Sequence, residues 1–254
     1  MTRAVFSFRF AQVFCQMIHV KEEIQTAYLK EVLEVVCKEI ELNQQKLADP
    51  NDEDRELVVA DLISNMHSSL YFMIIYGKIS ANLSTTEQHD LKSIFFKIVR
   101  LCPTHPKTGY SLLHMACQSH THVDEFHVKD VVSFPNLDLV KLLIETDAAV
   151  NAMDFERNTP LHLIVCYERT VADFYTLHSV INALIEGGAH DDTVNKAGQT
   201  PLTAATTSVA EIIMKSSTKI SLKCIAANSI GRHKLAYEGN IPENLAQFVQ
   251  LHIP

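Results

Sequence analysis

Glycine and proline are scarce in this chain, seven and eight among 254 residues. Strand-like alternation of apolar and polar residues is rare as well, so a turn-rich β architecture is excluded and a chain of helices is expected. Basic charge is also short. Lys and Arg number 22 against 30 acidic residues, a formal −8 with histidine neutral. Without a basic stripe there is little to neutralise a phosphate backbone, and nucleic acid is not an expected partner. Long apolar runs are missing; the best stretch, Leu70 to Ile75, is far too short for a bilayer, so no membrane partner is expected. Met1 to Val20 contains Arg3, Arg9 and Gln12 and lacks a small-residue cleavage site, so it does not read as a signal peptide.

Paired cysteines are missing too. The six, at positions 15, 37, 102, 117, 166 and 224, stand singly with no CxxC. They read as buried reduced thiols of an intracellular protein, with the cytoplasm as expected location and the nucleus second. No G-x-S-x-G elbow, H-E-x-x-H helix, Walker A loop or G-x-G-x-x-G turn occurs, so neither an enzyme nor a cofactor is expected. Acid pairs such as Asp191-Asp192 and Asp52/Asp54 fall in turns with no base in view. His120, His122, Asp124 and His127 crowd one stretch, but no second ligand pair lies nearby, and a solvated loop is the reading. His162 and Cys166 share a helix face without completing a ligand set. No metal site is expected.

What is present is helical periodicity. Ile24, Tyr28, Val32, Val36 and Ile40 recur every four residues between Glu22 and Leu47, with Lys30, Glu31, Glu34, Lys38 and Glu39 largely off that stripe. Asp49-Pro50 and the acidic residues after it break the chain. Leu57 to Ile75 is apolar on most sides, as a central helix would be. Ser84-Thr85-Thr86-Glu87 has capping-box spacing and opens a helix carrying Leu91, Ile94, Phe95, Ile98 and Val99, which stops before Pro103. With a first helix over Val5 to Val20, residues 1–102 are expected to hold four helices.

The second half contains a repeat. Gly109-Tyr110-Ser111-Leu112-Leu113-His114-Met115-Ala116 aligns with Arg157-Asn158-Thr159-Pro160-Leu161-His162-Leu163-Ile164, and both with Gly198-Gln199-Thr200-Pro201-Leu202-Thr203-Ala204-Ala205. This is the ankyrin pattern, G-x-T-P-L-H-x-A followed by a second helix ending near G-A. Thr159 can cap the first helix, and Pro160 suits a first turn whose N–H has no intrahelical partner. Leu161 is expected in the core between repeats, His162 tying adjacent loops, and Gly188 in a left-handed turn. Spacings of 48 (159 − 111) and 41 (200 − 159) exceed the usual ~33. The excess falls in insertions at 119–136 and 168–177, candidate contact surfaces.

The tail carries two short motifs. Ser221-Leu222-Lys223-Cys224-Ile225-Ala226-Ala227-Asn228-Ser229-Ile230 puts Leu222, Ile225, Ala226 and Ile230 on one helix face, with Gly231 expected to end it. Ile241-Pro242-Glu243-Asn244-Leu245-Ala246-Gln247-Phe248-Val249 places Pro242 in a first turn, and Leu245 with Phe248 or Val249 on an apolar face. Such faces either seal the last repeat or receive another protein. The expected class is all-α: a helical region over 1–102, about three ankyrin repeats with the last degenerate over 103–217, and a helical segment over 218–254.

At these residues the chain resembles the C-terminal half of the feminization-one (Fem-one) homolog family, the A and C branches more than the B branch. The likeness is most specific in Val123 to Val128, Ser133 to Asn136, Leu177 to Ser179, Glu186 to His190 and Ser221 to Ala227. Members of that family are ankyrin-repeat substrate receptors of cullin-RING ubiquitin ligases. The resemblance implies a VHL-type box over the tail, with Leu222, Ile225, Ala226 and Ile230 contacting Elongin B/C and with Ile241, Pro242, Leu245 and Phe248 contacting cullin-two. Many such boxes have Cys where this chain has Ala226. It also implies an adaptor in protein ubiquitination and proteasomal degradation, although the family's N-terminal repeats that capture substrate degrons have no counterpart in these 254 residues. The alternative is an ankyrin scaffold binding a protein partner outside any ubiquitin ligase.

Overall fold

A computed structural model describes residues 26–48, 55–118, 135–167, 174–217 and 221–253. Among them every regular element is a helix. The chain divides into two compact units.

In the first unit, α1 (Thr26–Ala48) packs on α2 (Arg55–Ile79) and α3 (Thr85–Leu101). Val32, Val36 and Ile40 are buried as their spacing requires, and Leu29 and Leu33 widen the stripe into a face that meets two helices. The helix expected over Val5 to Val20, and Ile24, lie outside the described residues. Helix α2 buries Leu62, Met66, Leu70, Phe72 and Met73 on several sides. By length and composition this helix could cross a membrane, which the short run Leu70 to Ile75 did not suggest, because Asp61, Asn65 and His67 interrupt the apolar residues. Two thirds of its apolar window (67 %) is instead buried within the chain. It is a core helix.

Ser84 begins α3 as its spacing predicts. The Ser84 N–H donates to Glu87 Oε2 at 2.9 Å and the Glu87 N–H to Ser84 Oγ at 3.4 Å. The Ser84 hydroxyl, which also donates to Glu87 Oε2 at 2.6 Å, and then the Ser84 N–H hold the Glu87 carboxyl below its ordinary value. Leu91, Ile94, Phe95 and Ile98 face inward, with the Phe95 ring edge-on to Tyr76 at 5.3 Å. The same unit takes in Lys141–Ala148, where Glu145 pairs with Lys92 at 2.6 Å and Asp147 with Arg100 at 3.3 Å. All four side chains are about half exposed, so these pairs add little stability.

The second unit is built from the repeats. Helices α4 (Leu112–Cys117), α6 (Pro160–Val165) and α8 (Pro201–Ala204) start at the three motif copies. Helix α5 (Leu137–Glu145), begun by an Asn136 Oδ1 cap on the Leu139 N–H, is shared between the two units. Helix α6 packs on α4, on α7 (Phe174–Glu186) and on α8, while α9 (Ser208–Ser217) packs on α7 and α8. Leu113, Ala116, Leu161, Ile164, Val180, Ile181 and Leu184 are wholly buried. The second insertion is shorter than expected, since helix resumes at Phe174. Residues 119–134, with His120, His122, Asp124 and His127, and residues 168–173 lie outside the described residues.

The motif histidines explain the stacking. His114 Nδ1 accepts the Ser111 N–H at 3.1 Å while Nε2 bonds the Asn158 carbonyl at 2.9 Å. His162 repeats this with the Thr159 N–H at 3.1 Å and the Gln199 carbonyl at 3.1 Å. A ring that accepts from an amide at Nδ1 and donates to a carbonyl at Nε2 must be the neutral Nε2–H tautomer. Burial lowers the pKa of both rings and keeps them so. In the third copy Thr203 replaces histidine: its Oγ1 accepts the Thr200 N–H at 2.8 Å. The local cap survives; a hydroxyl is too short to reach another loop.

Turns before the motifs form a second tie. The Phe155 N–H donates to the Thr108 carbonyl and the Lys196 N–H to the Glu156 carbonyl, each at 3.0 Å. Gly109, Arg157 and Gly198 hold the same place in the three copies, and all have positive φ (78°, 61° and 74°). Gly109 has a further reason, since a Cβ there would meet Phe155 N at 2.7 Å. Arg157 has no such freedom and accepts the strain of a left-handed conformation.

Candidate partner-docking surface

Ser221 starts α10 (Leu222–Arg232), its Oγ accepting the Cys224 N–H at 3.1 Å. Pro242 stands at the N-cap of α11 (Glu243–Gln250), one position ahead of the first turn expected for it. The two helices pack on each other through Cys224 and Ala227 of α10 and Phe248 and Val249 of α11, joined by Ile230, Tyr237, Ile241 and Ile253. Helix α10 runs past Gly231, which was expected to end it. A Cβ at Gly231 would lie 2.6 Å from Ile253 Cγ1, so the glycine serves close approach, and the left-handed residue after the helix is Lys234 (φ 48°).

The inner face is fastened to the repeats by directional bonds. Asn151 of one turn bonds the next, with its Nδ2 donating to the Gly188 carbonyl at 2.9 Å and its Oδ1 accepting the His190 N–H at 2.8 Å. Asp192 lies 41 positions after Asn151, in the same register, and takes its partners from the tail. Asn228 Nδ2 donates to Asp192 Oδ2 at 2.7 Å and His252 Nε2 to Asp192 Oδ1 at 3.0 Å. The tail therefore meets Asp192 as a following turn would. Arg157 Nη2 donates to the carbonyls of Gln250 at 2.5 Å and Ile253 at 2.6 Å, and the Val194 N–H to the Leu251 carbonyl at 3.0 Å.

His252 faces two acceptors, the Phe248 carbonyl at Nδ1 (2.8 Å) and Asp192 at Nε2, an arrangement that favours the protonated ring. Burial opposes that charge, but the hydrogen bonds to Asp192 and Phe248 and the carboxylate charge outweigh it and raise the His252 pKa. Asp192 moves the other way: burial would raise it, and the bond and charge of His252 bring it down. Asp191, desolvated and beside Asp192, is raised. The sequence had left this acid pair in a turn without a base; chain folding brings the base from 60 residues away.

The outer face stays in water. Leu222 is 85 % exposed, Ile225 50 % and Leu245 36 %, and Ala226 and Pro242 are exposed as well. The remaining residues named from the sequence go inward. Ile230 and Ile241 pack on the inner cluster, and Phe248 is only 9 % exposed. Ile230 lies about 80° round α10 from Leu222, at the edge of the face it was expected to share. Phe248 and Val249 lie about 60° and 40° round α11 from Leu245 and share one apolar side with it, covered at Phe248 and Val249 and open to water at Leu245.

No protein-family model matches the chain. Curated relatives do. The rat protein fem-1 homolog A is 30 % identical over 228 residues, 89 % of this chain and 32 % of that protein. Human protein fem-1 homolog A is 29 % identical over 232 residues, 91 % of this chain and 32 % of that protein. Mouse protein fem-1 homolog C is 34 % identical over 170 residues, 66 % of this chain and 26 % of that protein. This chain is a member of the Fem-1 family. It spans about a third of the length of the curated Fem-1 relatives it matches, and none of those relatives carries an enzyme's name.

Proposed function

We propose that this Fem-1 family chain is a non-catalytic adaptor of a cullin-two RING ubiquitin ligase. It docks on Elongin B/C through Leu222, Ile225 and Ala226, and on cullin-two through the exposed Pro242 and Leu245, with Ile230, Ile241 and Phe248 shaping that surface from within. Ubiquitin transfer belongs to partner subunits, and the substrates are proteins marked for proteasomal degradation in the cytoplasm and nucleus.

The observation that carries this reading is Leu222. A leucine 85 % exposed on the first turn of a capped helix, with Ile225 half exposed one turn on, is an apolar ridge that none of the described residues covers. Burying such a leucine in a partner's pocket is worth ~1.5–3 kcal/mol. The test is capture by purified Elongin B/C, comparing the native chain with Leu222→Ala. Loss of capture in a folded variant supports the assignment, and undiminished capture defeats it at that residue. If neither protein is captured, the scaffold reading gains.

A further inference from the structure

We propose that His190, Asp192, Cys224 and His252 form a binding site for a zinc-class divalent cation, set between the repeat turns and the C-terminal helices. Their four donor atoms lie within 4.8 Å of one another. His190 Nδ1 is 3.7 Å from Cys224 Sγ, and His252 Nε2 is 3.0 Å from Asp192 Oδ1. Ligands around a tetrahedral zinc, at ~2.0 Å for nitrogen and oxygen and ~2.3 Å for sulfur, stand roughly 3.3–3.6 Å apart. These two contacts bracket that spacing, and donors as far apart as 4.8 Å would draw inward by roughly 1 Å on loading. One sulfur, two imidazoles and one carboxylate suit zinc and disfavour magnesium and calcium, which take oxygen.

Three of the four donors are also aimed by a second partner. His252 Nδ1–H donates to the Phe248 carbonyl, which leaves Nε2 for the ion. Asn228 holds Asp192 Oδ2 and leaves Oδ1, while the Ser221 hydroxyl donates to Cys224 Sγ at 3.0 Å. Such supporting bonds distinguish a metal site from side chains that merely meet. Burial fits as well: Asp192, Cys224 and His252 are buried. A thiolate and a carboxylate neutralise a dication there, so the loaded site carries no net charge into the interior. On loading, the protons on His252 Nε2 and Cys224 Sγ leave to solvent. Three separated stretches, the 190–192 turn, α10 and the tail, are then held by one ion.

Cobalt(II) titration of the whole chain, stripped with chelator and kept reduced, tests this. The expected result is one equivalent bound with tetrahedral d–d bands and a thiolate-to-cobalt charge-transfer band. Stoichiometric zinc displaces the cobalt, and the melting temperature rises by several degrees. Cys224→Ser should lose the charge-transfer band while retaining its helical circular dichroism. If that variant does not fold, His190→Gln replaces it, expected to keep the band but bind at least tenfold more weakly. No tetrahedral bands at stoichiometric cobalt, a band that survives Cys224→Ser, or unaltered affinity in His190→Gln would overturn the proposal. The cluster would then be a hydrogen-bonded histidine–aspartate pair and nothing more. Because the outer face supplies no ligand, this result and that of the Elongin capture are separately readable.

Discussion

The two faces of the C-terminal helices look alike in composition and differ in fate. Cys224, Ala227, Phe248 and Val249 are buried, whereas Leu222, Ile225, Ala226 and Leu245 stay exposed. Apolarity does not choose between them, because hydrophobic burial has no direction and Leu222 alone would gain ~1.5–3 kcal/mol by turning inward. The choice is made by bonds with fixed geometry: Asn228 and His252 on Asp192, Arg157 on the carbonyls of Gln250 and Ile253, and Val194 on that of Leu251. These set the rotation of the segment and hold one apolar face out.

That contrast can be broken most forcefully at Phe248. Phe248→Ala should cost ~3–5 kcal/mol of folding stability in denaturant melts, as buried aromatics do. Leu222→Ala should stay within ~0.5 kcal/mol of the native chain in the same melts, as exposed sites do, and lose ~1.5–3 kcal/mol of Elongin affinity by titration calorimetry. A large stability loss at Leu222, or none at Phe248, would mean the two faces have been assigned the wrong way round.

Arg157 is a subtler handle on the same contrast. The fold favours glycine at this place, as in Gly109 and Gly198, yet arginine stands there at φ 61° and ties down the tail. Arg157→Ala loses the tie and keeps the strain; Arg157→Gly loses the tie and relieves it. The alanine variant should be less stable than native by ~1–2 kcal/mol, with the glycine variant recovering roughly half to one of those. Equal stability in the two variants would remove the backbone argument.

Local chemistry was legible in the sequence. Capping serines, the histidines of the motif and the helical stripes follow from spacings of three and four residues, which one turn of helix decides. Distant chemistry was not. Nothing near Asp192 announces His252, 60 residues on, and no short spacing links Cys224 to His190. The arginine at 157 stood in plain view in the repeat alignment, and its departure from glycine was the one available sign that this turn had a second task. Phe248 shows the same limit: Leu245, Phe248 and Val249 share one side of an eight-residue helix, and short spacings do not say how far along that side its own chain covers.

The smallest effect concerns how the repeats stack, as against how the tail docks. His162 is held neutral chiefly by burial, which the Gln199 carbonyl and the charge of Asp154 partly oppose and His114 reinforces, and the net movement of its pKa is downward. In the unfolded chain the ring has its ordinary value near ~6.5. Above that value both states are neutral and the stacking bonds contribute in full. As pH falls below it, the unfolded ring takes a proton that the folded ring refuses, so stability declines until the folded value is passed. Melts between pH 7.5 and 5.5 should therefore show a shallower acid loss for His162→Gln than for the native chain. Nitrogen shifts of the native ring should report the Nε2–H tautomer at neutral pH. A ring already protonated there, or one carrying its proton on Nδ1, would contradict both bonds through which His162 joins Thr159 to Gln199.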